Sequence, residues 1–163
     1  KETFDYDLLK SLVSKIKGYD VALKINQSEI AQTFVSDVNI EEFSKKGILT
    51  PEHIIRTKRY PLFIDGDIQT ALDNYMNEYK EYFDTFKTDE ICLNSAPNWA
   101  IIKDVGTVSF GKNEKECTVI EDINNHTMQA ILYAQNLGGF ESISLKDGFD
   151  MEYWELEQAK LKK

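Results

Sequence analysis

Between Pro97 and Leu161 the chain sets strand-forming and helix-forming residues in an order that limits the folds open to it. Trp99 to Lys103 and Thr107 to Phe110 are β-forming runs around Asp104-Val105-Gly106, which reads as a tight turn. Asn113 and Glu116 imitate a capping box and open a helix to Asn136, stopped by Gly138-Gly139. The apolar face of that helix is Ile120, Ile123, Met128, Ile131, Leu132 and Leu137. Asp147-Gly148 reads as a turn, and Asp150 as the cap of a last helix through Leu161. Strands and helices mixed in this way place the chain in the α/β or α+β class.

The first half repeats the alternation. Leu8, Leu9, Leu12, Val13 and Ile16 fall at helical spacing within Phe4 to Lys17, and Gly18 supplies a stop. Tyr19, Val21, Leu23 and Ile25 alternate as in a half-buried strand. Ser28 caps a short helix through Phe34, and Asn39 caps another over Ile40 to Lys46, closed by Gly47. Thr50-Pro51-Glu52 starts a helix that Pro61 keeps short. Leu62-Phe63-Ile64 is apolar, and Asp67 to Phe86 is the clearest amphipathic helix, with Ile68, Leu72, Tyr75, Tyr79, Phe83 and Phe86 on its stripe. The segment Lys87 to Asn98 reads as a loop with a short strand at Ile91 to Leu93.

Composition narrows the function classes. The 163 residues suffice for one domain with a core, and 42% hydrophobic content excludes disorder. A net charge of −9 argues against nucleic acid, whose binders carry a basic stripe. No apolar run reaches the length of a membrane span, and no signal-peptide pattern is visible. Cys92 and Cys117 lack motif spacing and read as reduced core thiols of a cytosolic protein. A chain that begins at Lys1 without an initiator Met reads as an excised part of a larger protein.

Few motifs suggest chemistry. Gly106 to Asn113 nearly spells a phosphate-binding loop, but Asn113 replaces the magnesium-binding hydroxyl and the inner residues are strand formers. Tyr6 and Lys10 have the spacing of a dehydrogenase pair without any glycine-rich cofactor turn. His53 and His126 are the only histidines, fewer than the roughly three protein ligands of a catalytic zinc site. They are weak metal candidates, and His126 reads as a polar helix-face residue. His53, Arg56 and Lys58 form the candidate anion or phosphate site: a helix start, a guanidinium one turn along and a following ammonium. The competing reading pairs Arg56 and Lys58 with surface carboxylates of this acidic chain. Tyr153 and Trp154 read as packing residues against the core or a neighbouring domain.

Thr50 to Lys58 and the stretch Phe149 to Leu161 (FDMEYWELEQAKL) together resemble the bifunctional proteins that join a class II aldolase of the rhamnulose-1-phosphate type to a short-chain dehydrogenase. The resemblance covers Leu8 to Leu161. It implies a three-layer class II aldolase-like α/β fold, with a central, mostly antiparallel sheet flanked by helices, over a single domain 1–163 lying between the aldolase active-site domain and the dehydrogenase domain. In such aldolases a strand leads into Asn-His-Gly, whose His binds the catalytic zinc. Here Asp104-Val105-Gly106 stands at that place, and valine cannot bind a metal.

The expectation is therefore a non-catalytic, degenerate aldolase-like domain of rhamnose-type sugar catabolism, scaffolding or oligomer-forming, with no cofactor of its own. The parent protein is expected to be a cytoplasmic lyase and oxidoreductase using zinc and NAD(P), with the flanking domains as partners and possible homo-oligomerisation. The alternative is a sugar-phosphate or metal half-site of an active aldolase.

Overall fold

The computed structural model of the chain describes residues 3–48, 53–137, 139 and 141–160. α1 (Tyr6–Lys17) begins where the Asp5 side chain accepts from the Leu8 amide at 2.9 Å. β1 (Ala22–Asn26), α2 (Glu29–Val35) and the short α3 (Ile40–Phe43) follow. Ser28 caps α2, whereas Asn39 makes no side-chain cap and α3 ends three residues before the expected Lys46, in a run of turns. The expected start at Thr50-Pro51-Glu52 lies outside the described residues; α4 (Ile54–Thr57) and β2 (Leu62–Ile64) come next.

α5 (Ile68–Phe86) is capped by Asp67, and no strand forms at Ile91 to Leu93. β3 (Trp99–Ile102) and β4 (Gly106–Gly111) precede α6 (Glu114–Ala134), whose first turn is held by Asn113 accepting from the Glu116 amide. The near-phosphate-loop is thus strand, turn and helix cap.

The sheet has the order β1-β4-β3-β2. β1 with β4 and β4 with β3 are antiparallel, and β3 with β2 is parallel. Period-two alternation sends Leu62, Ile64, Ala100, Ile102, Val108 and Phe110 to one face, against Leu9 and Val13 of α1 and Leu72 of α5. Trp99 and Ile101 go to the other, against Phe34 of α2, Phe43 of α3 and Ile120 and Met128 of α6. A sheet covered on both faces is the expected three-layer arrangement. Gly106 opens β4 because a Cβ there would stand 2.7 Å from the Asn26 carbonyl oxygen, a backbone atom that cannot give way.

The C-terminal part departs from the sequence reading. α7 (Leu145–Glu152) is capped by Ser144, runs through Asp147-Gly148 and contains Asp150, which is not a cap. Tyr153 ends it, and α8 (Glu155–Lys160) is separate. Gly148 is there for packing: a Cβ would meet Arg59 Nη1 at 2.9 Å and Ile54 Cδ1 at 3.3 Å. Of the two thiols, Cys117 is buried, but Cys92 is exposed and belongs to no core. Tyr153 packs in a cluster with Phe83 and Phe149, while Trp154 is half exposed.

Ile101, fully buried in the central strand, should lose about 2–5 kcal/mol of stability on substitution by Ala. Urea unfolding should show the midpoint falling with the slope unchanged. Gly106→Ala should destabilise as well, whereas Gln129→Ala, at an exposed position of α6, should not.

Candidate functional site

The most unusual interior group is Lys58, at the junction of α4 and β2. Its side chain is only 6% exposed, and its backbone takes φ 59° and ψ 175°. That region is nearly restricted to glycine and costs a non-glycine residue on the order of 1–3 kcal/mol. The conformation turns the ammonium inward, where it donates to the carbonyls of Asn94 and, at 2.6 Å, Ala96. The same Nζ lies 4.1 Å from the centre of the Tyr79 ring.

Tyr79 continues the network. Its hydroxyl donates to Glu152 Oε2 at 2.7 Å and shares a 2.8 Å bond with the Tyr153 hydroxyl. Tyr82 donates to Glu152 Oε1 at 3.1 Å, and the Leu93 amide donates to the Tyr153 hydroxyl. Glu152 is 1% exposed, so burial raises its pKa even though Tyr79, Lys58 and Tyr82 favour the charged form. Burial, reinforced by the neighbouring Lys17, pushes Lys58 down to about 7. The Tyr79 and Tyr82 phenols are raised by burial and by Glu152 beyond any accessible titration.

Two concavities meet this network, and Lys58 lines both. The larger, about 500 Å³, has Tyr60, Tyr75, Tyr79 and Tyr82 on its wall, with Lys45, Arg59 and Glu78 at hand. Arg59 is committed there: it donates to the carbonyls of Ile143 and Ser144 and so fixes the approach to α7. The smaller, about 200 Å³, is lined by Lys17, Tyr19, Arg56, Lys58, Asn98 and Lys112, with Glu116 and Glu152 as its carboxylates. Lys17 Nζ donates to Asn98 Oδ1 at 2.6 Å, and Asn98 Nδ2 donates to the Arg56 carbonyl at 2.8 Å. Asn98 therefore holds the end of α1 against α4.

Of the anion candidates, Arg56 and Lys58 share the smaller cleft, and His53 lines neither concavity. α4 has four residues, too few for the helix-terminus contribution that motivated His53. Among the described residues neither Arg56 nor Lys58 forms an ion pair with a carboxylate. His126 is exposed on α6, and no three His, Cys, Asp or Glu side chains converge as a metal-ligand group among the described residues. Sequence reasoning missed Lys17, Lys112 and Glu152. The only hint of the first two was their place at a helix end and beside a helix start, which in general reads as dipole compensation or solvent exposure.

The turn of interest, Asp104-Val105-Gly106, is closed by structural bonds. The Val105 carbonyl accepts from Gln32 Nε2 at 2.6 Å and Gln27 Nε2 at 3.3 Å, and its side chain packs against the core under α1 and α5.

The mixed four-stranded sheet flanked by helices is a class II aldolase-like α/β fold. Residues 3–161 match the family described as "Aldolase class II, second domain", and the chain belongs to that family. It is 29% identical over 141 residues to the uncharacterized oxidoreductase YuxG of Bacillus subtilis (strain 168); the match covers 78% of this chain but 20% of that protein, so the chain spans about a fifth of the relative's length. Among solved structures it is similar in fold to YgbL of Klebsiella pneumoniae, provisionally assigned as an aldolase/epimerase/decarboxylase. The TM-score is 0.50 at 14% identity, over 79% of this chain and 56% of that one.

The network's titration gives a signed expectation. With a folded pKa of about 7 against the ordinary 10.5, Lys58 binds its proton more weakly folded than unfolded between those values. Its contribution to stability should therefore rise with pH above about 7, by at most about 1.4 kcal/mol per pH unit. Glu152 acts in the opposite sense, weakening the fold as pH climbs above its ordinary 4.5. Urea unfolding at pH 7, 8 and 9 should show a smaller rise for Lys58→Met than for the wild type. Glu152→Ala should cost about 1–3 kcal/mol for each of the buried Tyr79 and Tyr82 hydroxyls that loses its carboxylate acceptor, and Glu152→Gln less.

Proposed function

We propose that the chain is the non-catalytic, orienting domain of a longer sugar-phosphate-degrading protein, set between a metal-bearing aldolase domain and a short-chain dehydrogenase. The observation that carries this reading is the β3–β4 turn. Where the family resemblance puts a zinc-binding His, Val105 offers no donor side chain, and its carbonyl is already engaged by Gln32 and Gln27. The exposed His126 and His53, which precedes α4, belong to no metal-ligand group among the described residues, so those residues do not fit a catalytic metal. No step of the aldol chemistry is therefore assigned to this domain.

The relative's greater length and its oxidoreductase name support a fused context. In this reading zinc and NAD(P) belong to the flanking domains of a cytoplasmic parent acting on a ketose 1-phosphate of the rhamnulose type, and subunits pair through the aldolase-like layers. The domain's cationic cleft, holding Arg56 and Lys58, forms part of a phosphate-binding wall. The alternative half-site reading would need His53 to join a metal completed by another chain.

Zinc and manganese titrated by calorimetry into the dialysed protein should show no stoichiometric tight site. Tight binding that vanishes in His53→Ala, with the circular dichroism spectrum intact, would sink the non-catalytic reading and favour the half-site.

A further inference from the structure

We propose that the smaller cleft is a built site for the dianion of a phosphate monoester, held by Arg56, Lys17 and Lys112, with Tyr19 as a neutral donor and Lys58 as a charge in its floor. The inference rests on the phosphate-wall reading above and assigns its residues and ligand class.

The first support is charge. In a chain of net charge −9, three cations besides the Lys58–Glu152 pair line this one cleft against a single further carboxylate, Glu116. Whether Lys58 and Glu152 are both charged or both neutral, the balance is +2, the complement of a phosphate dianion.

The second is unmet bonding capacity. Among the described residues the Arg56 guanidinium, the Lys112 ammonium and the Tyr19 hydroxyl donate to no protein group, and none of the three cations has a carboxylate within ion-pair distance. Arg56 is half-buried, and Lys17 has one bond, to Asn98, with two donors remaining. A planar guanidinium beside ammonium groups matches the bidentate and point-charge contacts that phosphate oxygens accept.

The third is mutual repulsion. Burial, opposed by Glu116 and aided by Lys112, pushes Lys17 down to about 8, and Lys17 in turn depresses Lys58. Like charges gathered in a partly desolvated cleft destabilise one another unless an anion joins them. Asn98 makes the gathering deliberate, since it fastens both Lys17 and the Arg56 backbone. A cleft of about 200 Å³ is smaller than the roughly 300–1,000 Å³ of sites that enclose a drug-sized ligand. It suits a phosphate head whose organic part lies outside.

The test is calorimetric titration of inorganic phosphate into the 163-residue chain at pH 7 and low salt. One phosphate should bind, sulfate should compete, and chloride at equal ionic strength should not. Arg56→Met and Lys17→Met should each weaken binding at least about tenfold, Arg56→Lys should retain part of it, and Lys103→Met, remote and paired with Asp65, should change nothing. Thermal melts of each variant separate lost binding from lost fold. Phosphate that binds with undiminished affinity in the Arg56 and Lys17 variants but weakens in Lys45→Met, in the larger concavity, would overturn this site while leaving the phosphate wall standing. No phosphate binding to the folded wild type would overturn both.

Discussion

The C-terminal half of this molecule depends on one buried contact set, the Lys58 ammonium beneath the Tyr79 ring with Glu152 behind it. A desolvated ammonium costs several kcal/mol unless its donors are met. Here they are met by the carbonyls of Asn94 and Ala96, which belong to a segment with no secondary structure of its own. The loop after α5 is thereby held in place by a side chain from the end of α4. Tyr79 and Tyr82 then transmit that fixity to Glu152, the last residue of α7. A separated α7 would leave two phenols and an ammonium without their carboxylate, so docking of the C-terminal helix and order in the loop are coupled. The strained backbone of Lys58 is consistent with this: the φ of 59° persists because the side chain is fixed from several directions.

The layers were legible from sequence and the polar interior was not, for a common reason. Apolar periodicity carries information about faces. The unbroken apolar run Trp99-Ala100-Ile101-Ile102 fits a strand covered on both faces, and the stripe of Ile68, Leu72 and Tyr75 fits a helix laid on one of them. A buried Lys–Tyr–Glu set has no period. In Arg56-Thr57-Lys58-Arg59 every local cue says surface, yet Lys58 is buried and Arg59 is bound to carbonyls more than 80 residues away. The same blindness explains α7. Asp147-Gly148 is a strong turn signal locally, but Gly148 answers to the close approach of Arg59 and Ile54, which no local rule sees.

The sheet's two faces also differ in character. Beneath β2 and β3 both faces are apolar. Beneath β1 and β4 the α6 side is polar: Lys24 reaches Thr118 and Glu121, Asn26 donates to Asn125, and Thr107 and Ser109 are buried. Such a layer is held by directional bonds, so α6 has a defined register on the sheet, and the β3–β4 turn inherits it through Gln27 and Gln32, which follow β1. The β3–β4 turn is thus part of the framework. A substitution of Val105 by His would therefore add a donor without the neighbours that make a metal site, since no two further ligands converge among the described residues.

Electrostatics puts a constraint on how an anion could reach the smaller cleft. At a net charge of −9 the molecule's summed field repels anions at long range. At physiological salt that field decays within about 8 Å, so the repulsion does not extend into bulk, and the cluster of Lys17, Arg56 and Lys112 dominates only near contact. A basic patch on an acidic molecule thus gives little steering and strong local discrimination, favouring a group that presents charge and several acceptors at once. A phosphate meets that requirement better than a carboxylate: it carries up to two charges and three oxygens that can bridge guanidinium and ammonium donors together.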